Sequence, residues 1–213
     1  MTIIIKREEF EKKITLINSN LANAKVIAIP TDTSYGLAVD ASKREALKKL
    51  FELKKRPPNK PVAIFLSSPD EIYEYGEVTN ELEKVIRILP LELTIITWSK
   101  KKLPEGYIVM NGKIGLRVPN HETPRTIVSR YGHPITATSA NIIGEPEIYD
   151  PKEILRKFPE LDTLIDFGKL PLKPVSTVID FTTSPPTIIR EGYIKKEQLK
   201  KLTKITYKIK KPE

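Results

Sequence analysis

Short β-branched runs alternate along this chain with stretches whose apolar residues recur at helical spacing. Thr2 to Ile5 reads as a strand, and Phe10, Ile14, Ile17 and Leu21 follow at the 3.6-residue period of a helix. Lys25 to Pro30 reads as a second strand, and Ala46, Leu47, Leu50, Phe51 and Leu53 mark the buried face of the next helix. The string KKRPPNKP places Pro57, Pro58 and Pro61 among basic side chains, which stops that helix and predicts a stiff exposed loop. Beyond it come a strand over Val62 to Leu66 and helices over Pro69 to Tyr75 and Thr79 to Leu89. Strands over Leu93 to Trp98 and Ile114 to Val118 follow, then a helix from Thr123 to Tyr131. The last third predicts a helix over Pro151 to Lys157 and strands over Thr163 to Asp166, Ser176 to Asp180 and Thr187 to Arg190. A Pro-rich surface loop at Leu170 to Pro174 and a basic helix from Lys195 complete it. Strands interleaved with helices, with no internal repeat, predict an α/β fold.

Two strands break into unusual loops. AIP runs into Thr31, Asp32, Thr33 and Ser34, and PITA runs into Thr138, Ser139, Ala140 and Asn141. Such clusters serve ordinary turns and caps. They also suit a ligand, because a buried strand gives rigidity and its end presents hydroxyls, amides and freed backbone N–H groups to a crevice.

With 213 residues, 39% hydrophobic and 30% charged, the chain can bury a substantial core, and one domain over 1–213 is expected. It contains no cysteine, which excludes disulfides, thiolate metal sites and cysteine nucleophiles. Its apolar start is short for a signal peptide and no run approaches a membrane span, so a cytoplasmic location is expected. The net charge of +9 favours polyanionic partners, nucleotide or nucleic acid. Much of it lies late, in Lys195, Lys196, Lys200, Lys201, Lys204, Lys208, Lys210 and Lys211, where a solvated helix and tail are expected.

Neither GxxxxGK[ST] nor GxGxxG occurs, so a nucleotide site must be built another way. His121 and His133 are too far apart for a helical metal pair and read as helix-end or surface residues. Asp32, Asp40 and Asp180 are possible acid or base groups, with Asp32 equally suited to a turn or cap, and no triad can be assembled. The remaining chemistry lies in cations: Lys54, Arg56 and Lys60 in KKRPPNKP, Arg117 in IGLRVP and Arg190 in TIIREG, whereas Lys55 reads as a solvated surface residue. Arg117 and Arg190 each end an apolar run, so each should emerge at a strand end. There a guanidinium either clamps a carboxylate or phosphate or closes a salt bridge at the sheet edge.

PTDTSYGL, K-x-R-P with a following KP, LRVP, TSAN with a GEP tail, and V-S-T-V-I-D followed by R-E-G occur in an order that resembles the YrdC-like family, the threonylcarbamoyl-adenylate synthases. The resemblance covers about residues 25 to 192, leaving a basic C-terminal helix and tail over 193–213. It implies a YrdC/RibB-like fold: a twisted mixed sheet with flanking helices and an open concave active-site surface. It implies a nucleotidyl transfer in which ATP, L-threonine and bicarbonate or carbon dioxide give threonylcarbamoyl-adenylate and diphosphate, with Mg2+ accompanying ATP. The product would feed the threonylcarbamoyladenosine modification at position 37 of tRNA, completed by a partner transferase. By position, Thr33, Arg117 and Ala137 resemble threonine contacts. Lys54, Arg56, Lys60, Ser139, Asn141, Ser176 and Arg190 resemble ATP contacts, with Lys54, Arg56 and Arg117 positioning the reactants. In a pocket without a phosphate loop, discrete cations and Mg2+ must neutralise the triphosphate.

The sequence departs from the family pattern twice. Where W-P-G-P-[LV]-T is usual, Leu89, Pro90, Leu91, Glu92, Leu93 and Thr94 stand, and Phe65 occupies a position where some relatives carry a threonine-contacting histidine. Longer relatives add a C-terminal domain, so this chain resembles a core-only form. The alternative is a module that binds tRNA or double-stranded RNA without catalysis, although at 7% aromatic residues it has no stacking platform. Related carbamoyl-adenylate chemistry, as in hydrogenase-maturation proteins, ranks lower because their zinc-binding and acylphosphatase-like segments are lacking.

Overall fold

The computed structural model describes residues 2–210. Its strands are β1 (Ile3–Lys6), β2 (Ile27–Pro30), β3 (Tyr35–Ala38), β4 (Ala63–Phe65), β5 (Leu93–Trp98), β6 (Val109–Met110), β7 (Lys113–Arg117), β8 (Ile135–Ser139), β9 (Thr163–Asp166), β10 (Thr177–Asp180), β11 (Thr187–Arg190) and β12 (Lys208–Ile209). Its α-helices are α1 (Ile14–Ala22), α2 (Arg44–Leu53), α3 (Glu71–Tyr75), α4 (Asn80–Ile86), α5 (Glu122–Tyr131), α6 (Pro151–Lys157) and α7 (Lys196–Thr203). The strands form one mixed sheet in the order β1-β9-β2-β3-β8-β4-β7-β5-β10-β11-β12, with β6 paired to β7. Parallel pairs such as β4 with β7 and β5 with β10 sit beside antiparallel ones such as β3 with β8 and β5 with β7. This is the twisted mixed sheet with flanking helices that the family resemblance implies.

Alternation along the strands sends successive side chains to opposite faces and so makes two cores. Ala28, Ile64, Ile95, Leu116 and Ile179 join α2, α3, α4, α6 and α7 on one face. Ile27, Ile29, Phe65 and Ile135 pack on the other against Ile17 and Leu21 of α1 and Ile127 and Val128 of α5. That second core ends near β4. Across β7, β5 and β10 no helix among the described residues covers the same face, and the side chains it presents line a cavity.

Several boundaries differ from the expected ones for local reasons. Phe10 is buried with α1, but two 3₁₀ turns carry it and the α-helix starts at Ile14. The helix expected to reach Leu89 ends at Ile86, consistent with the restriction Pro90 places on residue 89. Leu53 is only half buried, whereas Lys54 beyond it is 1% exposed. The strand PITA does not break at Thr138: β8 runs through Thr138 and Ser139, which pair with Leu37 and Gly36 of β3. The short strands β3, β6 and β12 are additions: β6 and β12 are two residues long, too short to show a period, and β3, YGLA, contains no β-branched residue. The C-terminal helix forms as expected, burying Leu199 and Thr203 beneath exposed lysines, while residues 211–213, Lys211 among them, lie outside the described residues.

Candidate active site

The cavity has a volume of about 490 Å³, within the range typical of small-molecule sites, and its floor is the uncovered sheet face. Along β7 the floor residues are Lys113, Gly115 and Arg117; along β5, Thr94 and Ile96; along β10, Val178 and Asp180. Gly115 is required by packing, because a Cβ there would lie 2.9 Å from the Cβ of Ala63 on β4. Next to β4, Ala63 pairs with Ala137 of β8, so the middle of the floor is low and the charged groups stand at its ends.

Arg117 ends β7 and is 8% exposed. Its Nη2 donates to Asp32 Oδ1 at 2.6 Å and to Thr33 Oγ1 at 3.2 Å, and the Phe65 ring lies 5.4 Å from its Cζ. The second Asp32 oxygen accepts the Asn120 N–H at 3.0 Å. Asp32 is therefore a buried counter-ion, not a free turn residue, and the Arg117 ion pair is inside the site instead of at a sheet edge. The Nε of Arg117 is buried and has no hydrogen-bond partner among the described residues.

Arg190 reaches the same cavity through a bulge. Val178 pairs with Arg190 while Ile179 pairs with Ile188, so Ile189 is the extra residue and Arg190 is turned to the side of Val178. Its Nη2 and Nε donate to the Ser176 carbonyl at 2.9 and 3.2 Å. Ser176 Oγ lies 3.0 Å from Thr94 Oγ1, so the segment before β10 is tied to the floor. Gly192 allows this approach, since a Cβ there would lie 2.1 Å from the Val175 carbonyl oxygen. Burial first, then repulsion from Arg117, lowers the Arg190 pKa from its usual value. Two guanidiniums that repel each other across one cavity are relieved by an anion between them.

The third wall comes from the basic Pro-rich loop and the end of β8. Arg56 folds back so that its Nε donates to the Lys60 carbonyl at 2.6 Å and its Nη2 to the Pro61 carbonyl at 2.8 Å; burial lowers its pKa. Ser139 Oγ donates to Asn141 Oδ1 at 2.6 Å, and Asn141 Nδ2 donates to the Glu145 carbonyl at 2.6 Å. Lys54 lies under this loop. Its Nζ donates to the Ser139 carbonyl, to the Asn141 carbonyl at 2.7 Å and to Asn141 Oδ1 at 3.3 Å.

Of the residues singled out in the sequence, Thr33, Arg56, Arg117, Ala137, Ser139, Ser176 and Arg190 line the cavity together. Lys54 and Asn141 stand behind the wall and shape it, and Lys60 is exposed, meeting Arg56 through its carbonyl. Lys55 is exposed as expected, His121 caps α5 by accepting the Thr123 N–H, and His133 is exposed past that helix. Lys113 was not singled out at all, although the two-residue spacing Lys113, Gly115, Arg117 puts it on the same face. The altered segment at 89–94 carries a cis Leu89–Pro90 bond, and its Glu92 carbonyl accepts the Thr177 N–H that starts β10. Among the described residues no three His, Asp or Glu side chains are grouped to hold a metal, and no helix is long and apolar enough to cross a membrane.

A family model, Sua5_yciO_yrdC, described as telomere recombination, matches residues 19–192. A Methanocaldococcus jannaschii protein named putative threonylcarbamoyl-AMP synthase is 34% identical over 200 residues, covering 92% of this chain and 93% of that protein. The threonylcarbamoyl-AMP synthase of Pyrococcus abyssi is 32% identical over 207 residues, which is 95% of this chain but 61% of that protein. The crystal structure of P. abyssi Sua5 complexed with L-threonine superposes with a TM-score of 0.89 at 27% identity, over 99% of this chain and 62% of that one. The chain thus spans nearly all of the first relative and less than two thirds of the second. With its mixed sheet, its uncovered concave face and a match over residues 19–192, the chain belongs to the Sua5/YciO/YrdC family.

Proposed function

We propose that the protein is a threonylcarbamoyl-AMP synthase, converting L-threonine, bicarbonate or carbon dioxide, and ATP into L-threonylcarbamoyl-adenylate and diphosphate. The observation that carries this reading is the pair Arg117 and Arg190 facing one cavity. A carboxylate on Arg117, near Thr33, fits the amino acid, and Arg190 and Arg56 remain for the phosphates. The relatives support it through their names and the Pyrococcus structure through its bound threonine.

In the reaction the neutral amine of threonine adds to carbon dioxide and loses a proton, giving a carbamate. A carbamate oxygen attacks the α-phosphorus of ATP in line, forming a P–O bond while the bond to the leaving diphosphate breaks. No protein nucleophile is needed: the chain aligns two anions that repel each other and neutralises the charge that builds on the departing diphosphate. The site residues fit cation-neutralised phosphates better than a resident metal, so Mg2+ is read as part of the MgATP substrate. The product, a mixed anhydride, suits a transferase that moves the threonylcarbamoyl group to the adenosine at position 37 of tRNA.

Incubation of the protein with MgATP, threonine and bicarbonate should release diphosphate only when all three are present. Arg117→Ala should chiefly raise the KM for threonine and Arg56→Ala that for ATP. Unchanged kinetics in both variants would overturn the assignment, and salt-sensitive RNA binding without turnover would favour a binding module.

A further inference from the structure

Among the described residues that line the cavity Asp180 is the only carboxylate, against four cations: Arg56, Lys113, Arg117 and Arg190. It ends β10, is 7% exposed, and uses its two oxygens differently. Oδ1 accepts the Thr182 N–H at 2.8 Å and the Thr182 hydroxyl at 2.6 Å, which fixes the carboxylate plane. Among the described residues Oδ2 accepts the Lys113 ammonium alone, at 3.1 Å, and so keeps acceptor capacity for a further donor. The lining on the neighbouring strand and loop positions includes the apolar Ile96, Ile108, Met110 and Val178 and the polar Asn111.

A buried acceptor in a site for a polyanion needs a donor that brings no negative charge. The ammonium of the amino acid does not reach. β7 and β10 are two strands apart with β5 between them, and register puts Asp180 level with Ile96 while Leu116 is level with Ile95. Arg117 and Asp180 are thus separated by about two strand spacings and two residues, roughly 12 Å between Cα atoms. That exceeds an amino acid held by its carboxylate on Arg117, but it suits the carbamate, one phosphate and the sugar joined to it. The attacking amine must also be neutral, and a carboxylate beside it would hold its proton. A divalent cation on Oδ2 would stand against the Lys113 ammonium.

Resting on the synthase reading above, we propose that Asp180 Oδ2 accepts a hydrogen bond from a ribose hydroxyl of ATP, with Thr182 holding the carboxylate in place. The nucleoside end then lies on Ile96 and Val178, and the protein selects ribonucleotides over deoxyribonucleotides. Asp180 is a specificity-determining contact remote from the bonds that change.

The test compares ATP with 2′-deoxy-ATP and 3′-deoxy-ATP on the full chain, by calorimetric binding and by threonine-dependent diphosphate release. ATP should bind about ten- to a hundredfold more tightly than the analogue lacking the recognised hydroxyl, the effect of one charge-assisted hydrogen bond. Asp180→Asn keeps the side-chain shape and an oxygen for Thr182, and should bring that ratio close to 1. Lys113→Met leaves the carboxylate in place and should retain the preference. Equal binding of ATP and both analogues by the unaltered protein would overturn the proposal without reference to any variant, as would a full preference surviving in Asp180→Asn. Absence of any nucleotide binding would overturn the synthase reading and this proposal together.

Discussion

Lys54 closes the chain around the end of β8 with one ammonium and three oxygens, two of them main-chain carbonyls 85 and 87 residues away in sequence. Burial, with repulsion from Arg56 second, pulls its pKa from 10.5 down to about 7 against the attraction of Glu147, while the three acceptors oppose loss of the proton. A lysine with a depressed folded-state pKa binds fewer protons folded than unfolded between those two values. Its contribution to stability therefore rises with pH from about 7 towards 10.5 and is least favourable below 7. Lys54→Met should flatten that part of the stability profile, measured as urea midpoints from pH 6 to 10, while loosening the Ser139–Asn141 loop. At this scale the sequence was legible in residue types: Thr33, Arg117 and Arg190 stand out because hydroxyls and guanidiniums sit awkwardly at the ends of apolar runs, and Arg56 because it lies in the basic, proline-rich string KKRPPNKP. What it concealed were partnerships. Asp32 looked like a turn residue because its guanidinium lies 85 positions away, and local pattern carries no information about such pairs.

Strands were legible where they carried β-branched apolar runs, and β5, β9, β11 and α6 have the boundaries their patterns predict. The facing of Arg190 was not. In a regular strand Ile188 and Arg190 point the same way, so the pattern TIIR alone would put the guanidinium on the side of the buried isoleucine. The bulge at Ile189 separates them, leaving Ile188 in the core and Arg190 on the cavity face. Deleting Ile189 removes the bulge and returns Arg190 to the opposite face or shifts Ile188 out of the core. ATP affinity should fall by about tenfold or more, the scale of one lost charge-assisted contact, with threonine binding less affected. Isothermal titration with each ligand separately checks this, and equal loss for both would indicate general disruption of the sheet.

A chain with a net charge of +9 carrying four cations in one cavity is held together under self-repulsion that an anionic ligand relieves. Ligand binding should therefore register in stability. At MgATP a hundredfold above its dissociation constant the gain is about 2.7 kcal/mol, which for a domain of this size raises Tm by roughly 5–10 °C. Thermal denaturation with MgATP, with threonine and with both would read it, and additive or greater shifts with both ligands are expected if they share the site. The α/β class followed from interleaved periodicities. The concave face did not, because it depends on where helices stop covering a sheet, and that is decided by the positions of α1 and α5 in space, not by any local run of residues.

The half of the sheet face left bare beyond α1 and α5 is an unfinished core. Ile96 and Val178 lie there in the layer that Ile29 and Ile135 occupy beneath helices. On the synthase reading a nucleotide packs over them, so the substrate supplies the layer that helices supply elsewhere on the sheet. Each release of product strips that layer away, and how long a molecule survives between turnovers depends on how much substrate surrounds it.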